Sequence, residues 1–215
     1  SPSHNVRSIA ARERSCGVSA VTDAFPLPDW IPLLSKVVAL AAVVVAFLVF
    51  GSIFCMGYQW LSGYRHAQPW LYVQYIGLAL PGFLLFAVLA VVLQVWANNK
   101  FVGYALLVAY LISHAVLAQF DLADHLYLYG SAPGTPYSDM NGFGTFWIDN
   151  LWFRAYWGAF AVALLVVAAL YWVRGDTSGW RARARIARQR FRAPARVVLA
   201  VSLIAFIAIG VYIHH

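Results

Sequence analysis

Long apolar runs dominate the chain, and short polar or charged connections separate them. Five stretches contain no Lys, Arg, Asp or Glu: residues 37–64, 67–99, 101–120, 155–173 and 197–213. A helix rises about 1.5 Å per residue, so about 20 apolar residues cross the hydrocarbon core of a bilayer. Lipid offers no partners to backbone N–H and C=O groups, so each run is expected to be a helix. The pattern predicts an all-α polytopic membrane protein with about five transmembrane helices.

The same pattern divides the chain into four parts. A polar segment, 1–32, precedes a four-span unit, 33–173, with spans at about 33–56, 70–96, 101–119 and 151–173. An Arg-rich linker, 174–196, leads to a further transmembrane helix in 197–215. Within the second span, Pro81 and Gly82 predict a kink. An odd number of spans, together with a polar start, predicts that the chain is a piece of a longer polypeptide.

Basic residues lie mostly on one side of the alternating runs, and this sets the orientation. Thirteen of the fifteen Lys and Arg residues fall on the side of the N-terminus, and only Arg65 and Arg154 fall on the other. Basic residues favour the cytoplasmic side of a membrane. The N-terminus is therefore predicted inside and the C-terminus outside. The net charge of +7 reflects this cytoplasmic face and does not indicate binding to nucleic acid.

The outer segment 121–150 is irregular in composition. Its four Gly and two Pro exclude a long helix, while its many aromatic residues make it too apolar for a solvated linker. We expect part of it to lie on the membrane surface or to dip into the membrane. Its polar residues Asp121, Asp124, His125 and Asp139 could bind a cation, but solvated loop charge is the simpler interpretation, and no metal site is predicted.

The Arg-rich linker predicts a short surface helix. Arg181, Arg185, Arg188 and Arg192 are spaced to share one helical face. Such a face favours anionic lipid, and a docking surface for a partner protein is the alternative.

Catalytic chemistry is sparse in this chain. It has no GxxxxGK[ST] phosphate loop, HExxH zinc motif or GxSxG elbow. Every carboxylate lies outside the predicted spans, and His114 is interpreted as the only ionisable group well inside one. A neutral His114 that hydrogen-bonds a neighbouring helix is favoured over a ligand in a membrane redox subunit. The sequence therefore predicts no enzyme, no catalytic residue and no cofactor within the chain.

The N-terminal segment carries, in order, an Arg-Glu-Arg, a Gly, a Pro-containing turn and a Leu-Leu-x-Lys that enters the next span. The residues are Arg12, Glu13, Arg14, Gly17, Pro26, Pro28 and Leu33-Leu34-Ser35-Lys36. This arrangement resembles the cytoplasmic signature of type 2 ATP-binding-cassette permeases. In such permeases this segment faces the nucleotide-binding subunit. The resemblance implies that these residues couple the chain to an ATPase, with Asn98, Asn99 and Lys100 nearby on the same side.

A closer likeness is to a bacterial subgroup in which the permease is fused to a periplasmic zinc aminopeptidase-like domain. It rests on Asn98-Asn99-Lys100 with Gly103-Tyr104, and on the outer stretch 125–144. The likeness implies that residues of this stretch close the outer end or hold an attached domain. The candidates are His125, Tyr127, Gly130, Tyr137, Asp139, Asn141 and Gly142. Leu126 stands where the subgroup usually has Asn. The chain carries no peptidase residue of that subgroup, and two spans expected before Arg7 are missing.

Taken together, the resemblance implies the membrane part of an ATP-driven exporter in the bacterial inner membrane. Its partners would be a nucleotide-binding subunit that holds ATP and Mg²⁺, a second permease half or protomer, anionic lipid and, as in the fused subgroup, an outer peptidase-like domain. The alternatives are a membrane anchor or scaffold that positions such a domain and transports nothing, and the redox subunit that would use His114.

Overall fold

The computed structural model describes residues 30–64, 68–97, 100–120, 124–172 and 180–214, without the side chains of residues 100, 118 and 180–183. These residues form six helices and no β-strand. The helices are α1 (Trp30–Leu61), α2 (Pro69–Ala97), α3 (Lys100–Gln119), α4 (Phe146–Tyr171), α5 (Trp180–Arg190) and α6 (Ala193–His214). The prediction of an all-helical protein is confirmed for the described residues.

Four of the helices are long and apolar enough to cross a membrane: α1, α2, α4 and α6. The apolar part of α3 is shorter, Phe101–Leu117. These lengths support a multi-pass membrane protein, while a fifth span and the orientation of the termini stay predictions. The exposed face of α1 agrees with this, since Val43, Phe47, Phe50 and Phe54 are each between 66% and 74% exposed. Water would penalise such an apolar stripe and lipid does not.

The start of α4 differs from the prediction. The fourth span was expected to begin at about residue 151, but α4 begins at Phe146 and includes Asp149 and Arg154. The expected boundary followed the charges, and the helix tolerates both of them. Asp149 lies in the first turn, where a negative charge interacts favourably with the helix dipole. Arg154 lies more than two turns inside the helix, in contact with other parts of the protein.

Helix α4 is the centre of the bundle. It packs against α6 on one side and α2 on another, while α1 and α3 pack against α2. Its buried Ala161 and Ala168 lie in one core cluster with Val88 and Val92 of α2. Small residues let helix backbones approach closely, which matters in lipid because apolar burial gives little net drive for association there.

Aromatic rings join α4 to α6. The Tyr156 ring stacks on Phe206 with their centroids 4.3 Å apart, and Phe160 lies 5.1 Å from the same ring. A Cβ atom on Gly210 would stand 3.0 Å from the Tyr156 ring, so the glycine allows this close approach.

Candidate functional site

The connection between α3 and α4 folds back into the helix bundle. We call residues 124–145 the inserted segment. The Tyr129 hydroxyl donates a hydrogen bond to the carbonyl oxygen of Leu85 at 3.0 Å. Leu85 lies about 24 Å along α2 from Pro69 and about 18 Å from Ala97, at 1.5 Å per residue. A Cβ atom on Gly130 would lie 3.7 Å from the Leu85 Cβ atom, so non-helical backbone reaches the middle of a long apolar helix. There its polar groups need partners inside the protein.

Side chains of α4 supply four of those partners. Each donates a hydrogen bond to a different backbone carbonyl of the inserted segment. The bonds are Asn150 Nδ2 to Pro133 at 2.8 Å, Arg154 Nη1 to Gly130 at 2.7 Å, Tyr156 OH to Leu126 at 3.4 Å and Trp157 Nε1 to His125 at 3.0 Å. We call these four residues the α4 donor set. A buried carbonyl without a partner costs about 1–3 kcal/mol, so the set stabilises this path of the chain.

Tyr129 anchors the deepest part of the inserted segment. Its backbone carbonyl accepts a hydrogen bond from the Tyr110 hydroxyl of α3. Its ring meets Trp157 and Phe160 edge to face, at centroid distances of 5.3 and 6.0 Å. Burial, and secondarily the nearby Tyr110, raise the pKa of the Tyr129 hydroxyl well above its ordinary value. The hydroxyl therefore stays protonated and able to donate across physiological pH.

Arg154 corrects the interpretation of His114 as the only ionisable group well inside a span. A Cβ atom on Gly82 would lie 2.6–2.8 Å from the Arg154 guanidinium, so the cation occupies the space that the glycine leaves. The Arg154 Nε atom is buried and has no hydrogen-bond partner among the described residues. His114 is half-buried in α3, with its ring 6.2 Å from that of Tyr110. The sequence placed Arg154 at a helix start and so missed this contact.

The structure separates the seven predicted outer-loop residues into two groups. His125 and Gly130 belong to the buried part, since their carbonyls accept from the α4 donor set. The His125 ring also bonds Ser131 Oγ at 2.6 Å and meets Phe153 at 5.7 Å. Gly130 has a φ of +70°, a conformation that other residues rarely adopt. Tyr127 lies beside them along the chain but is 81% exposed.

The other four form an outer turn. Ser138 and Gly142 exchange backbone hydrogen bonds of 2.8 and 2.7 Å, and the Asn141 N–H donates to the Ser138 carbonyl at 3.3 Å. Gly142 has a φ of +60°, which suits a glycine. The Tyr137 ring packs edge to face on Phe143 at 5.4 Å. Together with Asp139, these two rings border a cavity.

The cavity has a volume of about 320 Å³ and lies between the end of α1, the start of α2 and the outer turn. Its wall is mainly aromatic. The rings and the charged group that line it are Tyr64, Tyr72, Tyr75, Tyr137, Phe143 and Asp139, and two glutamines and a leucine complete the lining.

At the opposite end of α4, the Leu-Leu-x-Lys motif makes contact with the helix end. Lys36 places its ammonium group 4.6 Å from the centre of the Trp172 ring, a cation–π contact, and Leu33 is 3% exposed within the core cluster. Arg190 of α5 donates to the Trp172 carbonyl, which α4 leaves without a helical partner. Arg190 was not among the predicted site residues. The spacing of the arginines in the sequence does not show that this one reaches the end of α4.

Most of the predicted coupling residues lie outside the described part of the chain. They are Arg12, Glu13, Arg14, Gly17, Pro26, Pro28, Asn98 and Asn99. Lys100 is the first residue of α3, and its side chain lies outside as well. Lys36 is the member of the set whose contacts the structure gives.

The Arg-rich linker forms a shorter helix than predicted. Arg185 and Arg188 are exposed on α5, and the side chain of Arg181 lies outside the described residues. The expectation that Arg192 shares their helical face is wrong, because α5 ends at Arg190 and the Arg192 N–H donates to the Arg190 carbonyl at 2.7 Å. Pro194 has no N–H and fits the first turn of a new helix, so the chain turns before α6.

Two residues of the cation alternative, Asp124 and His125, make local hydrogen bonds. The Asp124 carboxylate accepts a hydrogen bond from the Leu126 N–H at 3.0 Å, and His125 bonds Ser131. Among residues 30–64, 68–97, 100–120, 124–172 and 180–214, no group of three or more His, Cys, Asp or Glu side chains could hold a metal ion. Asp121, part of the cation alternative, lies outside these ranges.

Comparison with known proteins adds no relative: no protein-family model, curated protein or solved structure matches the chain.

Proposed function

We propose that this chain is half of the membrane domain of an ATP-driven type 2 ABC exporter, coupled to a separate nucleotide-binding subunit. The coupling signature that ends in Lys36 supports this proposal, as does the order of apolar helices with an irregular segment before α4. The role needs the ATP-dependent motion of a cytoplasmic subunit to reach the opposite end of the membrane domain. The contacts of α4 provide a route of this kind.

The observation that carries the proposal is that Trp172, the residue that caps α4, contacts the signature, while α4 holds the inserted segment near its other end. Lys36 packs on Trp172, and Leu33 lies in the core cluster with residues of α4. Farther along, Asn150 and Arg154 bond carbonyls of the inserted segment. A helix with a packed core moves as a rigid body, so a shift at the first turns of α1 would displace the inserted segment.

In this mechanism the helices of two such halves face each other and expose the space between them alternately to the two sides of the membrane. ATP and Mg²⁺ are held by the nucleotide-binding subunit, which does the hydrolysis. This chain contributes the coupling surface around residues 12–36 and the closure of the far end by the inserted segment. The exposed apolar face of α1 remains available to lipid or to the second half.

The test is co-purification of an ATPase with the full chain from membranes. Replacing Glu13 and Arg14 together with Ala should remove the ATPase from the purified sample, because the signature would lose its charged contacts. The matched control is Arg7→Ala, which removes one nearby positive charge outside the signature and should leave the ATPase bound.

Normal recovery of the ATPase with the double variant would contradict the proposal. Absence of any ATPase from the parental sample would favour the scaffold alternative, since that role shares every other feature of the chain. In both outcomes the variants are compared by size-exclusion profile and helix content, so that loss of folding is distinguished from loss of a partner.

A further inference from the structure

The cavity beside the outer turn has a composition that selects for charge. Tyr64, Tyr72, Tyr75 and Tyr137 line it with Phe143, and Asp139 is the one charged side chain among its described lining residues. The Tyr137 and Phe143 rings pack edge to face, so this part of the wall is preformed. Electron-rich ring faces attract cations, and a carboxylate at the same site adds to the attraction and repels anions.

From this composition we propose that the cavity binds an organic cation, specifically an ammonium group attached to an apolar body. Rings of Tyr and Trp around a quaternary ammonium are a common mode of recognising such ligands. The carbon surfaces of the rings and of Leu71 suit the carbon atoms next to the charged nitrogen. A small metal cation is disfavoured, because the lining offers one carboxylate and its other oxygens are the neutral amide and phenol groups of Gln and Tyr.

The volume limits the size of the ligand. At about 320 Å³ the cavity lies at the lower end of the range for small-molecule sites, about 300–1,000 Å³. It accommodates a trimethylammonium head group and the first carbons of a chain. The same chemistry is found in a free cationic amphiphile and in the choline head group of a lipid. Binding of the cation does not depend on the proposed function. If the chain is part of an exporter, the bound cation is a candidate for its cargo, and that step rests on the proposed function.

Binding is measured by calorimetry with the full chain in nanodiscs made of phosphatidylglycerol, using hexyltrimethylammonium as the probe. Octan-1-ol is the uncharged control for partition into the bilayer, and empty nanodiscs give the background. We expect saturable binding of the cation and none of the alcohol. Adding phosphatidylcholine to the nanodiscs should weaken binding if the lipid head group uses the cavity, and should leave it unchanged if the site takes free ligand only.

Three variants test the wall of the cavity. Asp139→Asn and Tyr72→Leu should each weaken binding about three- to tenfold, because each removes one source of attraction for the cation. Tyr72→Phe keeps the ring face and should stay within about twofold of the parental protein. Tyr127→Leu is the matched control and should bind like the parental protein. Tyr127 is an exposed tyrosine of the inserted segment, which also contains Asp139, and it lies outside the cavity lining.

Parental affinity in both Asp139→Asn and Tyr72→Leu would overturn the cation site. Equal binding of octan-1-ol, with the same sensitivity to Tyr72→Leu, would also overturn it and show an apolar site instead. Because the assay contains no ATPase, failure here leaves the coupling experiment unaffected, and loss of the ATPase in that experiment leaves this one unaffected.

Discussion

At the scale of single residues, the contact between Arg154 and Gly82 sets how closely the inserted segment can approach α2. The guanidinium fills the space beside Gly82 and donates to the Gly130 carbonyl. A cation in such surroundings is costly unless hydrogen-bonded. The bond to the Gly130 carbonyl therefore orients Arg154 and helps to hold the inserted segment. The buried Nε atom of Arg154 stays without a hydrogen-bond partner among the described residues.

Gly82→Ala should destabilise the protein by about 1–3 kcal/mol, because the new methyl group would displace the guanidinium and weaken a hydrogen bond to a charged group. Gly77→Ala is the control on the same helix, since nothing lies within 4 Å of a Cβ atom there. That change should be neutral or stabilising, by up to about 1 kcal/mol, through the better helix propensity of Ala. Thermal unfolding of both variants in nanodiscs measures the difference, and equal behaviour would contradict the proposed contact.

The residues of this site differ in how far the sequence could predict them. Gly130 and His125 stand in a stretch singled out by its resemblance and composition. Arg154 was missed because a charge was taken to mark a helix boundary, although the stretch before it, from Phe146 to Phe153, is helical and contains four aromatic residues. The Pro81-Gly82 pair predicts a kink in α2. Its contact with Arg154 depends on which helices become neighbours, and spacing does not specify that.

At the scale of elements, α4 connects the inserted segment, α6 and α5. Its donor set satisfies the inserted segment, its rings join α6, and its last residues meet Lys36 and Arg190. Helix α5 covers the end of α4, with Ala187 buried and Arg185 and Arg188 exposed. The position of α5 thus leaves two arginines directed outward, while Arg190 is engaged by α4.

Arg188→Gln should reduce the amount of anionic lipid that co-purifies with the protein, since each basic residue near an anionic surface contributes about 1 kcal/mol. Arg190→Gln is the contrasting variant, because its side chain bonds the Trp172 carbonyl. It should lower stability and affect bound lipid less. Mass spectrometry of retained phosphatidylglycerol, with melting curves for both proteins, checks this expectation. The reverse pattern would indicate that α5 does not lie on the membrane surface.

At the scale of the whole molecule, the number of membrane crossings decides which parts share a compartment. The prediction of five spans places the outer turn outside and α5 inside. Only α4 separates the two along the chain, so they lie on opposite sides if α4 crosses the membrane, and the crossing of the shorter α3 decides which of them is outside. Cysteine accessibility tests this directly, provided that the native Cys16 and Cys55 are first replaced by Ser.

In that background, Met140→Cys should react with a membrane-impermeant maleimide in intact cells. Met140 is 98% exposed on the outer turn, so access is not limited by packing. Arg188→Cys should react only after the membrane is permeabilised, because α5 is predicted to be cytoplasmic. Labelling of both positions under the same condition would contradict the predicted topology, and the reversed pattern would invert it.

What the sequence determined by itself is the set of helices and the irregular connection between α3 and α4. Length and apolar character decide whether a segment forms a helix in lipid, and both are local properties. Gly and Pro decide locally where a helix cannot continue. Only the tertiary structure decided that Arg154 lies against Gly82, that α4 supplies donors to the carbonyls of the inserted segment, and that tyrosines from α2 and the outer turn surround one cavity. The physical reason is that each of these contacts joins residues distant in the chain, whose approach depends on how whole helices pack together.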